Sequence, residues 1–463
     1  MSNSAQSLSH AWKLHQAGQI NEAEQIYRNV VSIEKRNADA WVYLGIALFD
    51  QRLFDESVAA YRKAIDIRHQ FPIAWNNMGN SLRMLGRTEE ADDCFETSLQ
   101  QDPHYLSALK NRGTLWIWSG EIERGMHWYQ RGLEVSPDHA ELHRNIGVIE
   151  LLRGNYERGW KEYRWRWKMP GLTRPQTNAK PWRGEALDGK SLLLYPEQGL
   201  GDAIHFVRVA HDLNRLGARV TLQCSEKLIS LFSSTVESLG VDGLVIDSIA
   251  APPTDYQASM IEVVDNLFET TKAVPYGNGL FDEGEGYLRV SDPLVQYWKR
   301  WFDEHLPRTQ DKPLRVGLNW QGNPEHHADI YRSLPLDAFR DLAALPIQLV
   351  SLQFGFGSEQ IESCDFASQI AELPSDVDRD DGAFTDTTAI LSNLDYVVTS
   401  DTAIAHLAGA TNTRSHLLLG RVPDWRWLTS GTSTPWYPSI TMHRQSELGD
   451  WSDVVSSVRE TLA

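Results

Sequence analysis

Glycine returns every 34 residues, at Gly45, Gly79, Gly113 and Gly147, and an aromatic ring keeps the same period at Tyr27, Tyr61, Phe95, Tyr129 and Tyr163. Trp41 and Trp75 share the spacing, as do Pro103 and Pro137. A chain with this period cannot close one globular core over its first third. Each unit must bury its apolar face against the next, so the units stack. A small residue lets two helices approach, and an aromatic fills the gap to the following unit.

This register resembles the tetratricopeptide repeat: a bulky residue and a small one on the first helix, an aromatic on the second, and proline at the turn. About five units cover residues 1–168. The first has Ser7 in place of Trp41 and Trp75, with Ala11 and Ala23 at the small positions, and the fifth has His143. Atypical end units are what capping repeats look like. The expectation is an α-superhelix whose concave face takes a protein or peptide. Asn76, Asn77, Asn80 and Arg112 are candidates for that face, a solvated helix surface being the alternative. Trp116, Trp118, Trp128, Trp165 and Trp167 are expected to pack.

Breakers then interrupt the helical pattern, in Met169-Pro170-Gly171 and Pro181-Trp182-Arg183-Gly184, and 169–187 reads as a linker. From 188 to 292, strand-length apolar runs such as Ser191–Tyr195 and Arg219–Gln223 alternate with helical segments, including one expected over 203–216. A helical bridge is expected over 293–312, and 313–463 repeats the alternation. This reads as α + α/β: a repeat array, then two Rossmann-like domains with parallel sheets. The most informative stretch is Val397-Val398-Thr399-Ser400-Asp401-Thr402-Ala403-Ile404-Ala405-His406. A strand, a small polar turn and a helix start form an anion site, because free N–H groups and the helix dipole converge there. The plain alternative is a βα unit with Asp401 as N-cap.

Composition narrows the rest. The balance of 44 basic and 62 acidic side chains, a net −18, argues against nucleic acid as a partner. Apolar runs are too short for a transmembrane segment, and Met1-Ser2-Asn3-Ser4 opens without signal-peptide features, so a cytoplasmic location is expected. Cys94, Cys224 and Cys364 are far apart and read as reduced thiols without metal spacing.

Gly199-Leu200-Gly201-Asp202 after the first strand, with Ser400-Asp401-Thr402-Ala403-Ile404-Ala405-His406-Leu407 later, resembles the heptosyltransferase-like glycosyltransferases of family nine. The whole layout is similar to bacterial tetratricopeptide-repeat proteins fused to such a module. The resemblance implies a GT-B module, a nucleotide-sugar donor as co-substrate, and no metal or other cofactor. It makes Asp202 the general base, with Gly199, Gly201 and His205 on the acceptor-side loop; by its position one turn on, His205 is an alternative base or else a helix-face histidine. It gives Asp401, Thr402 and His406 to the donor diphosphate and sugar, with Asn319 and Gln321 at a strand end. Arg332 falls where these enzymes usually carry lysine. A single base and metal-free leaving-group binding imply inversion. The acceptor would be a protein or a saccharide. The competing expectation is a non-catalytic scaffold whose second half binds nucleotide or has degenerated. His326-His327 and Asp376-Val377-Asp378 read as solvated loops, the latter despite its metal-motif spacing. Trp425, Trp427 and Trp436 could equally stack on a donor or pack over the sheet.

Overall fold

The helices at the front form hairpins because each brings a small residue against the ring of its partner. They run α1 (Asn3–Gln16), α2 (Ile20–Ile33), α3 (Ala38–Asp50), α4 (Phe54–Ile67), α5 (Pro72–Met84), α6 (Thr88–Gln101), α7 (Leu106–Trp118), α8 (Ile122–Val135), α9 (Ala140–Leu152) and α10 (Tyr156–Tyr163). The computed structural model describes residues 3–463 apart from 278, 283, 327, 380 and 381. A Cβ on Gly45 would stand 2.6 Å from the Tyr61 ring, on Gly79 2.7 Å from Phe95, and on Gly113 2.5 Å from Tyr129. The 34-residue period is therefore one repeated contact, read from both its sides. Forcing a methyl into it would cost about 1–3 kcal/mol of overpacking. Arg112 does not line a solvated face: it is buried and binds Asp92 through Nε and Nη2 at 2.6 and 2.9 Å. Asn76 is buried as well and accepts a hydrogen bond from Asn111.

The chain divides into two compact units, Met1–Ile146 and Gly147–Ala463. The division falls inside α9, so the end of α9 and all of α10 belong to the unit that holds the α/β region. Its α10 has 8 residues, and the partner of Gly147 is the Tyr163 backbone, with N 2.5 Å from a Cβ position, instead of the ring. Side chains of α10 and the turn after it explain the attachment. Arg166 binds Glu197 through Nε and Nη2 at 2.6 and 2.8 Å. Gln198 donates to the Tyr163 hydroxyl at 2.8 Å, and Arg164 binds Asp265 at 2.7 and 2.8 Å. Trp160 meets Trp425 edge-on at 5.4 Å between centroids.

Among the described residues the second unit holds two sheets. The first comprises β1 (Lys180–Pro181), β2 (Ser191–Tyr195), β3 (Arg219–Cys224), β4 (Val241–Ile246) and β5 (Tyr256–Ser259) in the order β1-β5-β2-β3-β4, all parallel. The second comprises β6 (Leu314–Asn319), β7 (Ile347–Ser351), β8 (Ile370–Ala371), β9 (Tyr396–Ser400), β10 (Ser415–Leu419), β11 (Ser433–Thr434) and β12 (Tyr437–Arg444). Its order is β11-β12-β10-β9-β6-β7-β8, with only the β11–β12 pair antiparallel. Leu192, Leu193 and Leu194 are fully buried, as a parallel strand covered on both faces requires.

Two expectations change here. The segment 169–187 is more than a linker: Lys180–Pro181 pairs with Tyr256 and Gln257, Trp182 is buried, and Arg174 binds Glu262 at 2.6 Å. The helix expected over 203–216 is two, Leu200–Phe206 and Val209–Arg215. Arg208 Nε takes the His205 carbonyl at 2.8 Å and the Tyr287 hydroxyl takes that of Ile204 at 2.8 Å. Side chains inserted into the ladder break it. The bridge is the helix Asp292–His305, anchored by Trp298 donating to Asp386 at 2.8 Å.

Candidate functional site

Both diagnostic turns leave the carboxyl ends of parallel strands, where α/β sheets hold ligands. After β2, Gly199 caps the Leu200–Phe206 helix, and Asp202 lies in its first turn. After β9, Thr402 is the N-cap of the Ala403–Ala410 helix, its hydroxyl accepting from Ile404 N at 3.3 Å. The cap is therefore Thr402 and not Asp401, whose carboxyl is left for other partners.

The two turns meet. A Cβ on Gly201 would stand 3.3 Å from both Ala403 Cα and His406 Cδ2, so glycine permits the helix starts to touch. Asp202 accepts a hydrogen bond from Arg426 Nη2, and Arg426 Nη1 binds Asp424 at 2.7 Å. The guanidinium lies over the rings of Phe206 and Trp425, at 4.7 and 5.3 Å. Protein surrounds these carboxyls, yet the Asp202 side chain is 22% exposed and that of Asp424 34%.

The charges are interdependent. Burial, with the negative charge of Asp401 second, pushes Asp424 up to about 7. Burial also raises Asp401, against the nearby Arg332. The Asp401 charge thus favours the protonated form of Asp424. The Trp427 indole N–H is directed toward Asp401 without closing a well-formed hydrogen bond. Arg332 Nη1 donates to the Asp401 carbonyl at 3.1 Å, and a Cβ on Gly322 would stand 2.7 Å from Nη2. Gly322 is thus the space the guanidinium occupies.

Asn319 and Gln321 act through others. Asn319 Oδ1 accepts from Thr402 and Thr399 hydroxyls at 2.7 and 3.1 Å, and its amide donates to Gln353 at 2.8 Å. Asn319 thereby ties β6 to β9 and orients Thr402. Gln353 Oε1 also accepts the Trp320 and Gln321 amides, both at 3.0 Å, while Gln321 Oε1 accepts from Gln360 at 2.9 Å.

His205 is not on a loop. It lies in the last turn of the Leu200–Phe206 helix, is fully buried, and meets the His406 ring at 4.9 Å. The Tyr437 hydroxyl joins both rings, at 2.7 Å to His205 Nδ1 and 3.2 Å to His406 Nδ1. Burial, then the positive charge of Arg208, lowers His406 to about 3 and His205 well below its ordinary value. Burial thus favours the neutral form of both imidazoles, which share the Tyr437 hydroxyl. Trp425, Trp427 and Trp436 are buried and pack. Asp378 is no solvated residue: it accepts from the Thr387 amide at 3.1 Å, at the start of the Thr385–Leu391 helix. His327, Asp380 and Asp381 lie outside the described residues. Among the described residues, metal-competent groups converge at Asp337, Cys364 and Asp365, where Arg340 already pairs with Asp365.

Sequence reasoning singled out Asp202 and missed what it touches. Arg426 and Asp424 stand in Asp424-Trp425-Arg426-Trp427, just past β10. The signal was a charged pair alternating with tryptophan at a strand's carboxyl end, the position shared by the other site turns.

Comparison with known proteins identifies the front of the chain. The tetratricopeptide repeat family matches residues 8–71 and 72–105. Protein FlbA of Caulobacter vibrioides is 27% identical over 330 residues, 65% of this chain. The chain spans about half, 52%, of that relative's length. Among solved structures, pilF of Pseudomonas aeruginosa is 17% identical over 37% of this chain and 78% of its own, with a TM-score of 0.34. MamA from Desulfovibrio magneticus RS-1 is 16% identical over 36% of this chain and 93% of its own, with a TM-score of 0.31. Likeness at that level leaves the repeat register itself to define the fold. Among the described residues no helix is long and apolar enough to cross a membrane. Residues 8–105 are tetratricopeptide repeats, followed by an α/β region of parallel sheets.

Proposed function

We propose that the chain is an inverting, metal-independent glycosyltransferase of GT-B type, working in the cytoplasm. It moves a sugar from a nucleotide-sugar donor to a protein or saccharide acceptor, and the repeats recruit that acceptor or a partner. One observation carries this: the turn bearing Asp202 touches the Ser400–Thr402 turn, Gly201 against Ala403, though the two are remote in sequence. A carboxylate and an anion-binding helix start then face one ligand.

The chemistry balances without a further reactant. Asp202 takes the acceptor O–H proton as the oxygen bonds to the anomeric carbon. The bond from that carbon to the phosphate oxygen breaks, and the nucleoside diphosphate leaves with the electron pair. The Ala403–Ala410 N-terminus and Arg332 stabilise the departing charge.

A second reading, a repeat scaffold with a nucleotide-binding module that does no chemistry, is favoured by the Asp202–Arg426 ion pair, which occupies the base. Thermal-shift measurements with ADP, GDP and UDP, then donor turnover assays, decide. A diphosphate that raises the Tm of the wild type but not of Arg332→Ala, with turnover lost in Asp202→Asn, is the expected result. A flat response to every nucleotide refutes the donor site, and binding without turnover leaves the scaffold.

A further inference from the structure

Arg426 is a buried cation with an incomplete set of acceptors. The residue is 5% exposed, and its Nε has no hydrogen-bond partner although Nη1 and Nη2 hold Asp424 and Asp202. Burial lowers its pKa to about 10, so its neighbours do not fully replace the water it has lost. Phe206 and Trp425 fix the plane of the guanidinium. Ser400, fully buried at the end of β9, has a hydroxyl without a partner. Both are buried donors without acceptors: Ser400 precedes the Thr402 cap by two residues, and Arg426 holds Asp202, the neighbour of the Gly201 that touches Ala403; an anion would satisfy such donors. The same guanidinium holds Asp202, and a carboxylate so held is a weak base.

We propose that Arg426 exchanges partners. It holds Asp202 as in this structure, and passes to the diphosphate when a nucleotide reaches the Ala403–Ala410 N-terminus. This rests on the glycosyltransferase reading above. The exchange breaks no covalent bond. Its effect is that donor loading and release of the base are one event, so Asp202 acts only when a leaving group is in place.

The test is calorimetric titration of the full-length chain with ADP, GDP and UDP. Wild type is compared with Arg332→Ala, Asp202→Asn, Arg426→Ala, Arg426→Lys and the Asp202→Asn/Arg426→Ala pair. In the wild type the ligand must displace Asp202, so Asp202→Asn tightens binding of the accepted diphosphate about tenfold. Arg426→Ala weakens it about tenfold, and adding Asp202→Asn to that variant changes nothing further. Arg426→Lys, which keeps the charge, retains part of the affinity and covers the case in which the alanine variant does not fold. If a diphosphate binds in an Arg332-dependent way while Asp202→Asn leaves its Kd unchanged, the exchange is refuted and the donor site survives. If Asp202→Asn tightens binding equally without Arg426, plain removal of negative charge is the cause, and the exchange is refuted. If no diphosphate binds the wild type or Asp202→Asn, the donor reading falls and takes this proposal with it.

Discussion

Replacing Arg166 with methionine tests how the last hairpin supports the site. The Glu197 side chain is 0% exposed and that of Arg166 4%. The Glu197 carboxylate takes two hydrogen bonds from Arg166 and one from the Ser259 hydroxyl. Arg166→Met keeps the bulk of the stem and deletes both bonds to Glu197, along with one to the Tyr163 carbonyl, leaving a buried carboxylate with one donor. Removing one partner of a buried ion pair costs about 3–5 kcal/mol, most of it the penalty on the charge left behind. Arg166→Met/Glu197→Gln removes that charge too, so it should recover most of the loss. Urea unfolding followed by tryptophan fluorescence measures this, with midpoints compared at equal slope. Hydrogen exchange over 196–202 should rise in the single variant and return toward wild type in the double. A single variant costing under about 1 kcal/mol would match an exposed pair and refute the reasoning. So would a double variant as unstable as the single.

Tyr437→Phe leaves His205 Nδ1 and His406 Nδ1 without their shared hydroxyl, at about 1–3 kcal/mol for each buried group left unpaired; an unchanged Tm contradicts that network. His416 is lowered to about 4 and His406 to about 3, each first by burial. Unfolded imidazoles bind protons below about 6.5, so stability is lost as pH falls below that value, by up to about 1.4 kcal/mol per unit for each histidine. Asp424 has the opposite sign: its native pKa of about 7 contributes stability that is present below the unfolded value and lost as pH rises through about 7. Asp424→Asn should therefore show a steeper fall of Tm between pH 6.5 and about 4 than the wild type, and an equal or shallower fall refutes the assignment. Cys94 and Cys224 are pushed up to about 12 by burial, so thiol-labelling reagents at pH 8 should modify them quickly only after denaturant is added.

The repeats were legible because their constraint is local and repeated: Gly45 and Tyr61, or Gly79 and Phe95, are two ends of one contact. The fifth hairpin keeps that register through Gly147 and Tyr163, so its attachment to the sheets could not be read from period. That attachment depends on Trp160, Arg164 and Arg166, whose partners are far along the chain. The edge strand β1 is too short to show alternation, and breakers around it look like a linker. The split between the Leu200–Phe206 and Val209–Arg215 helices comes from Arg208 and Tyr287, a tertiary effect with no sequence signature. Within the site, strand–turn–helix spacing located Asp202 and Thr402. It said nothing about Arg426, because a turn's sequence does not specify which distant carboxylate will meet it. The choice between Asp401 and Thr402 as N-cap turned on the dihedrals of one residue.

The docking of α10 has a practical and a mechanical side. Splitting the gene after residue 168 would strip an arginine from a buried glutamate and bare the edge of Trp425; a split ahead of Ala140 keeps the joint whole. Any load that shifts α10 is carried by Tyr163 and Arg166 into Gln198 and Glu197, one step from the glycine that starts the Asp202 helix. Displacing α10 would thus pull on the segment that leads into the Asp202 helix.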